Sequence, residues 1–313
     1  MTPSAARSDR VFSKLETDVG ASRLRRMAWL CAALVLAITL LSAWLRLAKS
    51  GIGCADWPGC YGELWRATAG AAPTAVEASK TVLAVRLAHR VLAVAALVLI
   101  VVMLATAWPP RRQGRRAALE TAALLGVTLA LAVLGALGAQ SLLPAVALGN
   151  LLGGFAMLVL SLRLAARRPI KVNAGIRAWL WVAFGLMVLE TALGGLASAS
   201  GSLLACDGMA DCWAQAQRQG WSALNPWRQP APDGSAGVQW AHQLGAWVVL
   251  LLTAPLAWRL RAQDGRGAGV LLACLALQAA LGPWMAVAGF PMAGVLAHNV
   301  LAALTLAVLA RWL

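Results

Sequence analysis

Charge is scarce in this chain, and negative charge scarcer still. Charged residues make up 12% of its 313 residues, hydrophobic ones 60%. A soluble domain carries about a quarter charged residues, so an ordinary soluble enzyme is excluded. Period-two alternation is missing from the apolar stretches, which excludes a membrane β-barrel. No clear small-residue cleavage site follows the first apolar run, so that run is not a removable signal peptide. Histidine is nearly absent: His89, His242 and His298 are the whole supply.

What is present is a series of long apolar runs, at roughly 27–47, 81–107, 117–138, 142–164, 176–198, 236–258, 267–288 and 290–311. Each has about 20 residues or more, the length that crosses a hydrocarbon layer of about 30 Å. They predict an all-α polytopic membrane protein with eight transmembrane helices.

The net charge of +15 would suit a nucleic-acid partner, but its distribution argues against one. Lys and Arg crowd into the segment before the first run and the loops after the second, fourth and sixth, with Arg111, Arg112, Arg115 and Arg116 as one example. The alternate loops hold only Lys49, Arg66, Lys80, Arg218 and Arg228. The positive-inside rule then places both termini in the cytoplasm of a bacterial-type inner membrane. Residues 1–26 read as a basic cytoplasmic tail, its first 22 residues without order.

The chain repeats itself. Val85-Arg86-Leu87-Ala88-His89 has a counterpart in Val238-Gln239-Trp240-Ala241-His242. Leu134-Gly135 and Pro144 are echoed by Leu281-Gly282 and Pro291. Residues 27–165 and 176–313 therefore read as two four-helix bundles joined by a basic cytoplasmic linker, 166–175. An even number of helices per half gives a parallel repeat, pseudo-twofold about the membrane normal. Transporters with inverted repeats need an odd number.

Two outer loops each open with a cysteine pair separated by five intervening residues, Cys54 and Cys60, and Cys206 and Cys212. Their oxidising side favours two small disulfides. A thiol metal site and a redox-active disulfide stay open as alternatives. Cys31 and Cys274 lie within helices and read as packing residues.

The three histidines fall at similar depth, some 9–12 Å below the outer face at 1.5 Å per residue. His242 and His298 suit the two axial positions of a heme iron. The competing reading is a polar contact between helices. His89 has no such partner: Asn150 stands where helix four should answer. Arg46, Arg86 and Arg90, in the outer halves of helices one and two, could pair with heme propionates as buried guanidiniums or snorkel to headgroups. Glu190, mid-helix, reads as a proton-handling group or as a hydrogen-bonded packing residue.

These residues resemble the heme A synthase family of cytochrome oxidase assembly proteins over nearly the whole chain. The likeness rests on Arg46-Leu47, Ser50-Gly51 leading into Cys54 through Cys60, Ala88-His89-Arg90, Leu193-Gly194-Gly195, Gln239 through His242, and Leu296 through Asn299. The resemblance implies oxidation of the heme O methyl group to a formyl group. It implies heme b on His242 and His298, a substrate-heme site at His89, and a role for Cys54 and Cys60 in heme transfer or redox chemistry. It also implies heme O synthase and terminal oxidase assembly factors as partners, besides the lipid bilayer; a homo-oligomer stays open. The family pattern has a catalytic glutamate where this chain has Arg86, and a histidine where it has Asn150. A catalytically impaired relative, serving as a heme-binding assembly protein or a b-type cytochrome, is therefore the alternative.

Overall fold

A computed structural model describes residues 3–49, 51–52, 80–108, 115–138, 141, 143–166, 170–230 and 234–313. Its elements are α1 (Pro3–Lys49), α2 (Lys80–Ala107), α3 (Arg115–Leu137), α4 (Pro144–Ala165) and α5 (Ala174–Ala199). Then come α6 (Gly208–Gln219), a 3-10 turn at Ser222–Leu224, α7 (Ala236–Leu260), α8 (Gly265–Val287) and α9 (Met292–Leu309). Among the described residues there is no strand. Eight of the helices, all but α6, are long and apolar enough to cross a membrane. Helices are the natural form for such runs, because every interior backbone group is paired within its own segment.

Helix ends follow local chemistry. Pro144 opens α4, where its missing N–H costs nothing. The Asn173 side chain caps α5 by accepting from the Ile176 N–H at 2.8 Å. Asp264 caps α8 by accepting from the Gly267 N–H at 3.0 Å, and its other oxygen meets Arg311 at 3.2 Å. Two departures from the sequence reading are plain. Helix α1 begins at Pro3, where a tail without order was predicted. No proline interrupts residues 4–49, so the membrane helix can propagate back through good helix formers. Between α5 and α7, where only loop was predicted, lies α6, with Cys212 and Ala216 buried one turn apart.

Each half closes a ring of neighbours. α1 packs on α2 and α4, and α3 on α2 and α4; α5 packs on α7 and α9, and α8 on α7 and α9. The halves meet through α1 and α4 against α5 and α9. The larger core joins both halves, with Val35, Ile100, Phe155, Leu180, Leu256 and Leu306 among its members. A smaller outer cluster includes Leu47, Leu196, Val238 and Phe290. At the end of the bundle that holds the C-terminus, Arg163 reaches Glu120 at 3.3 Å and donates to the Ala310 carbonyl at 3.3 Å, tying α3 and α4 to the C-terminus.

An outer cap fixes the entry of α7. Cys206 and Cys212 form a disulfide with Cα atoms 5.0 Å apart, which removes the thiol-metal alternative for this pair. Trp213 packs against Trp240 at 4.7 Å between centroids, and Trp221 completes the cluster. The Ala236 N–H donates to Gln219 Oε1 and the Ser235 N–H to Ser202 Oγ. Gly234, at φ 73°, lies so close to the Gly201 carbonyl that a side chain there would collide with it. Closing so short a loop is worth about 2 kcal/mol by chain entropy. Cys206→Ser is therefore expected to lower the melting temperature, and a reductant should lower that of the parent chain by more than that of the variant. Cys54 and Cys60 lie outside the described residues.

Candidate functional site

His242 and His298 each stand six residues past the first residue of their helices, α7 and α9. At 1.5 Å per residue that is about 9 Å along each axis, so the two rings share one level. Their centroids are 6.3 Å apart and their planes are nearly perpendicular, at 86°.

Helix α5 supplies the other wall, and it interlocks with α7. A Cβ on Gly194 would lie 2.8 Å from His242 Cε1 and 3.3 Å from both ring nitrogens. A Cβ on Gly245 would overlap Glu190 Oε2. Each bulky polar group thus fills a hole left by a glycine on the facing helix. Small residues at such crossings let backbones approach closely. His242 Nδ1 lies 2.7 Å from Glu190 Oε1. The distance is that of an ion pair, but the groups do not line up as a hydrogen bond, and neither has another partner among the described residues.

Further buried polar atoms lack partners here. They are His298 Nδ1 and the side-chain oxygens of Gln239, Gln243 and Gln278. The Gln278 amide donates to the His298 carbonyl at 3.1 Å, fixing α8 against α9. Buried groups left unpaired in this way are costly, and a bound group is one reason for them.

The geometry can be tested against a heme. An imidazole nitrogen sits about 2 Å from a bound first-row metal, with its ring centroid about 1.2 Å further back, so two imidazoles clasping one iron have centroids about 6.4 Å apart. The observed spacing fits. The glycine hole at Gly194 leaves room for the His242 ring, and Glu190 faces Nδ1, so Nε2 is the ring nitrogen free to bind a metal.

The first half is arranged differently. His89 is half-buried on α2 and Asn150 half-buried on α4. Among the described residues no hydrogen bond, ion pair or ring contact joins His89, Arg86 or Asn150 to another candidate residue. Of the three arginines for which propionate pairing and snorkelling both stayed open, Arg86 and Arg90 are exposed. Helix α2 turns Ala96, Ile100 and Met103 inward, and the arginines fall on other faces. Exposure favours the snorkelling reading for both. Arg46 is half-buried, and its Nε is buried without a partner.

The sequence did not pair Glu190 with His242. The signal lay in the spacing. Glu190 and Gly194 are one turn apart on α5, and His242 and Gly245 one turn apart on α7, so each helix offers one large polar residue and one hole.

Comparison with known proteins adds a second line of evidence. The family model COX15-CtaA, described as cytochrome oxidase assembly protein, matches residues 25–310. The chain belongs to this family. A curated relative, heme A synthase from Shewanella oneidensis, is 29% identical over 309 residues, covering 87% of this chain and 90% of its own length. Members of the cytochrome oxidase assembly family are what the eight spans and the cysteine pairs were taken to resemble, and the family match covers both halves.

Proposed function

We propose that this chain is a heme A synthase-type membrane oxidoreductase with heme b between His242 and His298. The substrate, heme O, would enter the first half at His89, where its methyl group would be oxidised in place to a formyl group. The observation that carries the reading is the His242–His298 pair at one depth, 6.3 Å apart. The family match and the name of the relative support the reaction class.

A heme b bound here would supply one-electron transfer. Around it, this chain's own residues divide the work. His242 and His298 would hold the iron from two helices. Gly194 leaves space for the His242 ring. Arg46, with its unpaired Nε, is the candidate partner for a propionate. Beyond the two rings, Val249 and Leu256 of α7 and Leu306 of α9 join an apolar core, which would keep water from that side. His89 is the candidate ligand for the substrate heme, and Arg86 and Asn150 flank that site. Cys54 and Cys60 would form the second outer disulfide or a redox pair.

The reading extends to topology. Both termini would face the cytoplasm of a bacterial-type inner membrane. The halves, 27–165 and 176–313, would be related by a pseudo-twofold axis; the shared ring of helix neighbours supports this. Heme O synthase and oxidase assembly factors are the proposed partners.

A second reading is favoured by specific residues. Arg86 cannot accept a proton as a carboxylate would, and the amide of Asn150 is a poor iron ligand. The chain would then be a heme-binding assembly protein or a b-type cytochrome. Co-expression with a heme O synthase, followed by heme extraction, decides. Hydroxylated or formylated heme supports the enzyme; unchanged heme O on a folded, heme-loaded protein supports the second reading.

The glycine hole gives a sharper expectation. Gly194→Ala must push the His242 ring aside, so most of the low-spin heme should be lost. Gly195→Ala meets only a flexible Leu151 methyl at 2.6 Å and should keep its heme. Absorbance spectra of the two purified variants check this.

A further inference from the structure

We propose that Glu190 is a positioning residue for His242, fixing which ring nitrogen faces His298 and making that nitrogen a stronger donor to iron. The proposal rests on the heme b reading above. Its own basis is the contact between two transmembrane helices. Glu190 Oε1 lies 2.7 Å from His242 Nδ1, and the carboxyl side chain is only 8% exposed. Its second oxygen fills the hole at Gly245. A carboxyl group in an apolar bundle is expensive unless it is paired. Among the described residues this imidazole is its ion-pair partner, and neither carboxyl oxygen has a hydrogen bond. A small turn of the ring would bring Nδ1–H into line with Oε1.

The consequence is an inequivalent pair of ligands. A carboxylate accepting from Nδ1–H locks the tautomer, so that Nε2 carries the free lone pair. It also adds electron density to the ring, which favours ferric over ferrous iron. His298 has no such support: its Nδ1 is buried with no partner. Glu190 thus sets the reduction potential of the site from one side and leaves His298 as the weaker ligand. Neither effect requires Glu190 to touch heme or substrate.

The test uses the full-length purified protein with its heme. A redox titration followed through the visible bands gives the potential, and the oxidised spectrum gives the spin state. Glu190→Gln keeps an oxygen that can accept from Nδ1–H but removes the charge. It should keep a low-spin heme and be easier to reduce, by about tenfold in the equilibrium constant, or about 59 mV for one electron. A heme-loaded Glu190→Gln protein with the parent's potential overturns the proposal. Should that variant fail to fold or hold heme, Gly245→Ala carries the same test, because it crowds the carboxylate away from the ring. Its potential should move in the same direction, and an unmoved potential again overturns the proposal. The underlying heme reading fails in a different way: a parent protein without low-spin heme, or a His242→Ala protein that keeps one, removes that reading and this one together. A low-spin parent heme indifferent to Glu190 removes only this one.

Discussion

His298→Ala and His242→Ala should each abolish the low-spin heme b, but only one of them should also loosen the fold. Removing either imidazole leaves the iron with at most one axial ligand from the pair, so low-spin heme per chain should fall from about one to near zero. The structural costs differ. His298 has a buried Nδ1 with no partner, so deleting its ring removes an unpaired polar atom. His242 stands against Glu190, which is 8% exposed. Deleting the His242 ring strands a carboxyl group between α5 and α7. Leaving a buried polar group without its partner costs on the order of 2 kcal/mol. The stranded carboxyl group then loosens the packing of the two helices. Thermal melting of the two heme-free variants should therefore place His242→Ala well below His298→Ala. Adding Glu190→Gln to His242→Ala should recover most of that gap without restoring heme. Equal melting temperatures would mean that the Glu190–His242 contact carries no energy.

Much of this architecture was legible because hydrocarbon imposes a simple rule. A run of about 20 apolar residues must become a helix, and a spanning helix has few ways to end. Seven of the eight predicted runs agree with the helical spans to within two residues at each end, and the first span starts seven residues earlier than predicted. The matched depth of His242 and His298 was legible too, since rise per residue and the repeat together fix depth. What lay beyond the sequence was rotation about each helix axis. Periodicity says little in a helix that is apolar all round, where lipid and protein faces look alike. Hence Arg86 and Arg90 turned out exposed, and Glu190 proved to be a neighbour of His242. Helix α6 escaped because its polar composition resembles loop, and only the burial of Cys212 and Ala216 reveals its inner face.

The first half should respond to the opposite kind of change, a gain. Its two anomalies lie on different helices, Arg86 on α2 and Asn150 on α4, with His89 one turn beyond Arg86. Arg86→Glu would place a carboxylate on the turn before His89, at the spacing where helix side chains are neighbours. It would replace a fixed cation, which repels positive charge developing on the substrate heme, with a group able to accept a proton. Asn150→His would supply the second imidazole that the repeat leaves out. Each change alone repairs half of the site, so each should have a small effect. Together they should raise conversion of heme O by at least tenfold, or about 1.4 kcal/mol of barrier. Heme extracted from cells that co-express a heme O synthase reports this directly. Heme content reports it independently, since the double variant should bind a second low-spin heme that the parent does not. A double variant that binds the extra heme without converting heme O would assign the first half to carrying heme. One that does neither would mean that the α2 and α4 positions do not face a common pocket.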